Sequence, residues 1–345
     1  MREPISRVKG TRYYTVSADG SGDFTSIQAA IEAIPEPCAE KTIVRIKQGI
    51  YYEKLHIEKP MVHLIGEGAD QTVITYDDYA LKKFPDGELY HTFHSYTAFI
   101  GADDFTAEGL SFVNSAGPGK DVGQALAVYV DGDRAAFRQC RFIGHQDTIF
   151  TGPLPEQPID RSFFGGPREG AERRKLRQYY EDCYIEGDID FIFGSATAVF
   201  QGCEIFAKNR LPDNAAAAGE VSGWITAAST PEDVRYGYVF MNCDLTSDAP
   251  PQSVYLGRPW RNHAKVCFLN CRVGAHVKQE GWHNWNKPDA ESTVVYAEYN
   301  STGPGAGNTS ERVPWARMLT EQEASEYTLP FILSGGDGWL PFTEL

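Results

Sequence analysis

The chain has 345 residues, a formal charge of −15 and a pI near 5.0, which argues against nucleic acid as a partner because phosphate binding needs a basic surface. Its 42% hydrophobic and 23% charged residues are typical of a folded domain and not of a disordered chain. No apolar run approaches the roughly 18 residues of a membrane-spanning helix, so we expect no membrane insertion.

The cysteines and histidines predict neither a disulfide framework nor a metal site. There are seven cysteines, an odd number, and no CxxC pair. His91 and His94 in "HTFH" have metal-like spacing, but no third ligand accompanies them. The first ten residues, MREPISRVKG, have no apolar signal-peptide core. We therefore expect either a cytoplasmic protein or a secreted one whose leader has been removed, and a monomer.

Two short helices are predicted, one near each end of the chain. Thr25 to Gln28 has the form of a capping box, and "IQAAIEAIP" follows with apolar residues at helical spacing and a proline as the stop. Near the other end, Thr320 is the expected N-cap of "TEQEASEY", with Glu323 at the third helical position.

Between these helices the sequence consists of short β-like runs that share a degenerate frame. The frame is an aromatic residue, two residues, often a cysteine, one residue, and an apolar residue. Its copies begin at Phe137, Tyr180, Phe200, Phe240 and Phe268, with a weaker one at Phe105.

Recurrence of this kind is typical of a solenoid in which successive coils stack on one another. We predict an all-β, right-handed parallel β-helix with interior ladders of aromatic and cysteine side chains, and helices that cover its exposed edges. An antiparallel β-sandwich is the alternative. Cys183 and Cys203, one coil apart, could form a bridge in an oxidising compartment.

Polar residues interrupt four of the apolar runs, and they are the candidate site. Singly, each has an ordinary interpretation as a turn or solvent-facing residue, but a β-helix can bring neighbouring strands of one face together. The residues are Gln124 in "GQALAVYVDGD", Gln146 and Asp147 in "GHQDTIF", Asp190 in "GDIDFIFGSA", and Arg258 and Trp260 in "VYLGRPW".

These segments resemble the signature blocks of the pectinesterase (pectin methylesterase) family over nearly the whole chain. The resemblance also includes "VSADGSGDFTSIQAAIEAIP", "GIYYEKLHI", "FVNSAGP", "GWHNW" and the terminal "GWLP". It implies a right-handed parallel β-helix that removes methyl esters from galacturonate units of pectin and releases methanol. It also implies a reaction without metal, cofactor or catalytic serine, and the sequence has no G-x-S-x-G motif.

By position in the matching motifs, the resemblance implies a role for each polar residue. Asp190 matches the nucleophile that forms an aspartyl acyl-enzyme, and Asp147 matches the general acid and base. Gln124 and Gln146 match the donors that stabilise the oxyanion, and Arg258 matches the residue that orients the nucleophile. Trp260 resembles an aromatic sugar platform. Trp282 and Trp285 in "GWHNW" either border the groove or fill the core; we favour the groove and expect Trp282 to bind sugar beside Trp260.

The chain departs from the family pattern between the two aspartates, which are separated more widely than is usual in the family. We predict a single domain over residues 1–345 with an insertion at 151–178. The insertion should lie at the rim of the groove. It carries a basic cluster, which either contacts a polyanionic pectate chain or is simply solvated. The residues of the cluster are Arg168, Arg173, Arg174, Lys175 and Arg177.

The predicted partner is therefore methyl-esterified oligo- or polygalacturonate. Two alternatives remain open on sequence alone. One is a β-helical polysaccharide lyase or glycosidase, which would use different groove residues. The other is a carbohydrate-binding relative that acts on another ester.

Overall fold

The computed structural model describes residues 10–211, 219–307 and 310–342. Its strands form three sheets, and every strand pair within them is parallel. Because each coil adds one strand to each sheet in turn, the molecule is a right-handed parallel β-helix, as predicted. The antiparallel sandwich is wrong. Within the described part, no helix has the length and apolar composition to cross a membrane.

Sheet A has eleven strands and runs the length of the helix. In spatial order they are β1 Thr11–Val16, β2 Lys41–Ile46, β5 Val62–Ile65, β8 Thr106–Glu108, β11 Ala135–Arg138, β14 Arg177–Glu181, β17 Thr197–Gln201, β20 Tyr238–Met241, β23 Lys265–Leu269, β25 Val295–Tyr299 and β26 Arg317–Met318.

Sheets B and C complete the coils. Sheet B comprises β3 Gly49–Tyr52, β6 Thr72–Tyr76, β9 Ser111–Asn114, β12 Arg141–Ile143, β15 Tyr184–Gly187, β18 Glu204–Ala207, β21 Asp244–Ser247 and β24 Arg272–Val273. Sheet C comprises β4 Leu55–Ile57, β7 Ala98–Ile100, β10 Val128–Val130, β13 Ile149–Thr151, β16 Ile189–Gly194, β19 Gly223–Ala228 and β22 Val254–Gly257.

The repeated frame marks the turn from sheet A into sheet B. The aromatic residue lies inside sheet A, the residue before the cysteine has positive φ (Gln139, +52°; Asn242, +54°), and the chain then enters sheet B. Repeating the frame stacks its aromatic rings coil on coil. Centroid separations fall from 4.9 Å for Phe137 and Tyr180 to 4.4 Å for Phe240 and Phe268.

Five of the seven cysteines form a second interior ladder beside the rings. Each of these five thiols donates to a backbone carbonyl of the preceding coil; Cys183, for example, donates to Phe137 and Cys203 to Tyr180. Cys183 and Cys203 are both free thiols in this structure, so the conditional bridge between them is not formed. The weaker copy at Phe105 was placed wrongly. Phe137 pairs with Ala107, which puts the true frame two residues later.

The helices are short and lie on the edge and side of the β-helix. They are α1 Ile27–Glu32, α2 Gly119–Val122, α3 Glu321–Ala324 and α4 Leu329–Leu333, with single 3-10 turns at Thr92–His94 and Pro288–Ser292. Helix α1 packs on β1 and β4. Its N-cap is Ser26 and not Thr25, because the Ser26 hydroxyl accepts from the amide of Ala29. The capping box of Thr320 and Glu323 is confirmed.

Candidate active site

Asp190 lies on strand β16 where the pairing of that strand with β19 is irregular. Its backbone has φ of +50°, a conformation that costs free energy for a residue other than glycine and is found disproportionately at functional sites. This local kink directs the Asp190 carboxylate to the outer face of sheet C while Phe191 enters the core. The neighbouring acids are used elsewhere: Glu186 pairs with Lys208, and Asp188 accepts from a backbone amide.

Arg258 follows strand β22, two coils from Asp190, and pairs with it through two hydrogen bonds. Its Nε donates to Oδ1 at 2.8 Å and its Nη2 donates to Oδ2 at 2.7 Å. The guanidinium lies between two indoles, with the ring centroids of Trp224 and Trp285 3.9 Å and 3.8 Å away. Two stacked rings and a bidentate bond leave the guanidinium little freedom, so the direction of the Asp190 carboxylate is fixed.

Asp147 precedes strand β13 and, like Asp190, has positive φ (+65°). Its side chain is buried, and its carboxyl group makes no hydrogen bond or ion pair to any residue in the described part of the chain. Burial, followed by the charge of Asp190, raises the pKa of Asp147 well above its usual value. Burial and a neighbouring carboxylate therefore both favour the protonated form of Asp147.

The two carboxyl groups differ because only one has a cationic partner. Burial also raises the pKa of Asp190, but the charge and hydrogen bonds of Arg258 act in the opposite direction. The pKa of Asp147 is therefore raised more than that of Asp190, so Asp190 ionises more readily. Such a pair can supply a nucleophile and a general acid at the same pH.

Gln124 and Gln146 lie on the same face, directly before strands β10 and β13. Their side chains are half-buried and face the cavity that contains both aspartates. Among the described residues, neither side-chain amide has a hydrogen-bond partner, so both N–H groups are free to bind an incoming oxygen. Neutral donors at this position can stabilise a developing oxyanion.

These groups meet in one cavity of about 520 Å³, the size of a small-ligand site. Trp260 forms part of its wall, where its ring packs against Phe150, Phe164 and Phe193. The remaining lining residues are Thr92, Phe93, Pro158, Ile159, Asp160, Arg161, Ala227, Trp285, Asn286 and Lys287.

Trp282 is not in this cavity, so its predicted role as a sugar-binding aromatic is wrong. Only 1% of its surface is exposed, and its ring stacks on Tyr296 with centroids 4.2 Å apart. Its side chain belongs to the main hydrophobic core inside the coils. Trp285, three residues later, is the tryptophan of "GWHNW" that reaches the cavity.

The five basic residues of the cluster in the insertion all pair with acids of this chain, and the choice between pectate binding and solvation stays a prediction. Arg168 pairs with Asp131 at 2.7 Å and with Glu58 at 3.0 Å, and Arg174 pairs with Asp103 at 2.8 Å. Arg173, Lys175 and Arg177 pair with Glu156, Asp233 and Asp133 respectively. These ion pairs fasten the connection between β13 and β14 to the outside of the β-helix.

Sequence reasoning missed three residues of the site: Trp224, Lys287 and Arg161. Trp224 lies in "GWITA", and a tryptophan in such an apolar strand is normally interpreted as a core residue. Lys287 and Arg161 lie in loops, where a single cation is normally solvated. Only the folded chain shows that all three border one cavity or its arginine. His91 and His94 do not form a metal pair, because His94 Nε2 accepts from the amide of Gly166.

Comparison with known proteins identifies the family of this chain. A family model described as Pectinesterase matches residues 13–156 and 171–336. This chain belongs to the pectinesterase family. The match is interrupted at 157–170, within the predicted insertion. Pectinesterase 31 of Arabidopsis thaliana is 34% identical over 330 residues, covering 92% of this chain and 90% of that protein.

Solved structures agree with this assignment. The pectin methylesterase from carrot is 28% identical with a TM-score of 0.77, covering 98% of this chain and 97% of that one. A pectin methylesterase in complex with a hexasaccharide is 28% identical with a TM-score of 0.76, covering 97% and 100%. This pectinesterase is a carboxylic ester hydrolase, and pectin demethylesterification is its reaction.

Proposed function

We propose that this pectinesterase cleaves the methyl ester of a galacturonate unit through a covalent intermediate on Asp190. The observation that carries the proposal is one cavity that holds an arginine-bound aspartate together with a buried aspartate and two side-chain amides, for which residues 10–211, 219–307 and 310–342 provide no hydrogen-bond partner. The substrate class is methyl-esterified oligo- or polygalacturonate, and the working unit is a monomer. No observation favours a lyase, a glycosidase or a binding protein for another ester.

In the first half-reaction, an oxygen of the Asp190 carboxylate attacks the ester carbonyl carbon. Negative charge develops on the carbonyl oxygen, where the N–H groups of Gln124 and Gln146 stabilise it. Asp147 gives its proton to the methoxy oxygen as the carbon–oxygen bond breaks, and methanol leaves. The galacturonyl group remains bound to Asp190 as an anhydride.

In the second half-reaction, Asp147 is a carboxylate and accepts a proton from a water molecule. The oxygen of that water attacks the galacturonyl carbon, and the bond to Asp190 breaks. Asp190 returns to a carboxylate, bound as before by Arg258. Asp147 recovers its proton, and the product leaves with a free carboxyl group.

Replacing Asp190 by asparagine tests this mechanism. We expect Asp190→Asn to reduce the kcat of methanol release from methyl-esterified pectin by about 10⁴-fold or more, as removal of a catalytic nucleophile does elsewhere. The measurement is steady-state methanol release on protein whose folding is verified by circular dichroism, because the change leaves Arg258 without its partner.

Asp244→Asn is the matched control. It makes the same chemical change on strand β21 of sheet B, and it likewise leaves an arginine, Arg272, without its carboxylate partner, but away from the cavity. We expect its kcat to stay within about threefold of the unmodified protein. Near-normal methanol release by Asp190→Asn, or an equal loss in both variants, would contradict the assignment of the nucleophile.

A further inference from the structure

Asp188 is a third buried acid close to the two catalytic aspartates, and the mechanism above gives it no task. It comes directly before strand β16, two residues from Asp190, and only 3% of its surface is exposed. The described lining of the cavity includes Asp147 and Asp190 but not Asp188. Burying a carboxyl group away from solvent and substrate costs free energy. Its surroundings therefore indicate what it does.

The backbone of Asp188 lies where the two segments that carry the catalytic aspartates meet. The Asp188 amide donates to the carbonyl of His145 at 3.0 Å, and the Asp147 amide donates to the carbonyl of Ile189 at 3.0 Å. From the next coil, the amide of Trp224 donates to the Asp188 carbonyl at 3.1 Å. These bonds hold Asp188 in a fixed position relative to both catalytic segments.

His145 is the one side chain of the described residues within ion-pair distance of Asp188. Its Nδ1 lies 3.5 Å from Asp188 Oδ2, while Asp188 Oδ1 accepts from the Ile189 amide at 2.6 Å. The other ring nitrogen, Nε2, lies 3.5 Å from Nζ of Lys208, which also pairs with Glu186 at 2.6 Å. Because an ammonium can only donate, Nε2 is the acceptor and Nδ1 carries the hydrogen that faces Asp188.

Asp188 therefore has polar neighbours, but no lysine or arginine of the described residues lies within ion-pair distance of it. Its charge acts on both catalytic groups. Burial is the largest cause of the raised pKa of Asp147, and the charges of Asp190 and Asp188 add to it. Burial also raises the pKa of Asp190, where Asp188 again adds to the rise and Arg258 opposes it.

We propose that Asp188 is a positioning residue whose fixed negative charge, outside the cavity, sets the pH range in which the two catalytic aspartates work. This inference rests on the proposed function, in which Asp147 begins the reaction protonated and Asp190 begins it ionised. A neighbouring negative charge favours the proton on Asp147. Arg258 binds Asp190 directly and keeps it ionised in spite of that charge. Removing the charge should let both aspartates release their protons at lower pH.

The pH dependence of kcat/KM for Asp188→Asn tests the inference. The substrate is a fully methyl-esterified oligogalacturonate at initial rates, because it has no carboxyl group of its own to titrate. The acidic limb of the profile reports the gain of one charge by the aspartate pair, and the basic limb reports the loss of its second proton. We expect both limbs to move to lower pH by about 0.5 pH unit or more. A purely structural role would lower the rate without moving either limb.

Two further variants of Asp188 separate its charge from its shape. Asp188→Ser also removes the charge and should give the same shift, so the test does not depend on the folding of one variant. Asp188→Glu keeps the charge and should keep both limbs near their original positions, even where kcat falls. Circular dichroism verifies the folding of each variant.

His145→Gln removes the contact with Asp188 but leaves its charge. Neither limb should then move to lower pH. Asp244→Asn is the matched control, because it removes a carboxylate from sheet B that is paired with Arg272 away from the cavity. It should change neither limb.

Unmoved limbs in the folded Asp188→Asn or Asp188→Ser variant would overturn the inference. So would an equal shift to lower pH in His145→Gln, because the contact and not the charge would then set the pH range. Failure of the proposed function is a different result, in which Asp190→Asn releases methanol at a near-normal rate.

Discussion

The interior of the β-helix and the outer face of sheet C belong to the same coils, but the interior repeats from coil to coil and the outer face does not. Inside, each position repeats: ring stacks on ring, and each thiol bonds to the carbonyl of the coil before it. On the face, Asp147 and Asp190 have strained backbones, and no described residue forms a hydrogen bond with the Asp147 carboxyl group or with the side-chain amides of Gln124 and Gln146. Repetition supplies the stability, and local departures from it supply the chemistry.

Asp147→Asn should have the largest effect, because it should lower the activity of the outer face and at the same time raise the stability of the fold. Loss of the general acid and base reduces kcat by about 10²- to 10⁴-fold. Stability moves the other way. The raised pKa of Asp147 means that the folded state binds a proton which the unfolded state releases, so the unmodified protein loses stability as pH rises above about 4.

Thermal melting of both proteins at pH 4 and pH 7 measures the second effect. The asparagine variant should melt several degrees higher at pH 7, with a smaller difference at pH 4. Two results would show that the carboxyl group is not held protonated. One is a variant with a lower melting temperature than the unmodified protein at pH 7, and the other is an increase in melting temperature that is the same at pH 4 and pH 7.

Phe200→Ala should destabilise the interior of the β-helix without changing the catalytic rate of the folded protein. The ring is fully buried between Tyr180 and Phe240, so its removal should cost about 3–5 kcal/mol of unfolding free energy. Denaturant unfolding gives that value, and kcat per folded molecule should stay within about twofold. Phe331→Ala is the control, because Phe331 is 68% exposed. Equal destabilisation by both changes would contradict a ladder-based core.

Trp224→Leu should have the smallest effect, since it acts on the nucleophile only through Arg258. A cation–π contact of about 0.5–2 kcal/mol corresponds to a several-fold fall in kcat, with KM nearly unchanged. Trp315→Leu makes the same change beside Tyr296, outside the cavity, and should not alter kcat. A loss confined to KM would show that Trp224 contacts substrate and does not position Arg258.

The fold could be predicted because its frame is repeated, and repetition makes each copy support the others. The copy at Phe105 was the exception. Ala107 occupies the position that is aromatic in the other copies, so Phe105 gives a false match to the frame two residues earlier. Asp190 and Arg258 were recognised from their motifs, and their contact at 2.7 Å agrees with the predicted pairing.

Side-chain direction in the loops could not be predicted. Trp282 and Trp285 are three residues apart in one motif, and only the folded chain shows that Trp282 lies in the core and Trp285 at the cavity. The basic residues of the insertion resemble a polyanion site in sequence, but their acidic partners come from distant coils. Such pairings depend on how far the insertion reaches across the surface, which no local pattern encodes.

We propose that Asp147 is protonated at neutral pH while Arg258 keeps Asp190 available as a carboxylate. Infrared difference spectroscopy between the unmodified protein and Asp147→Asn at pH 7 tests it most directly. We predict that the unmodified protein has a carbonyl stretch of a protonated carboxylic acid which the variant lacks. A difference spectrum that shows loss of a carboxylate band instead would contradict the account.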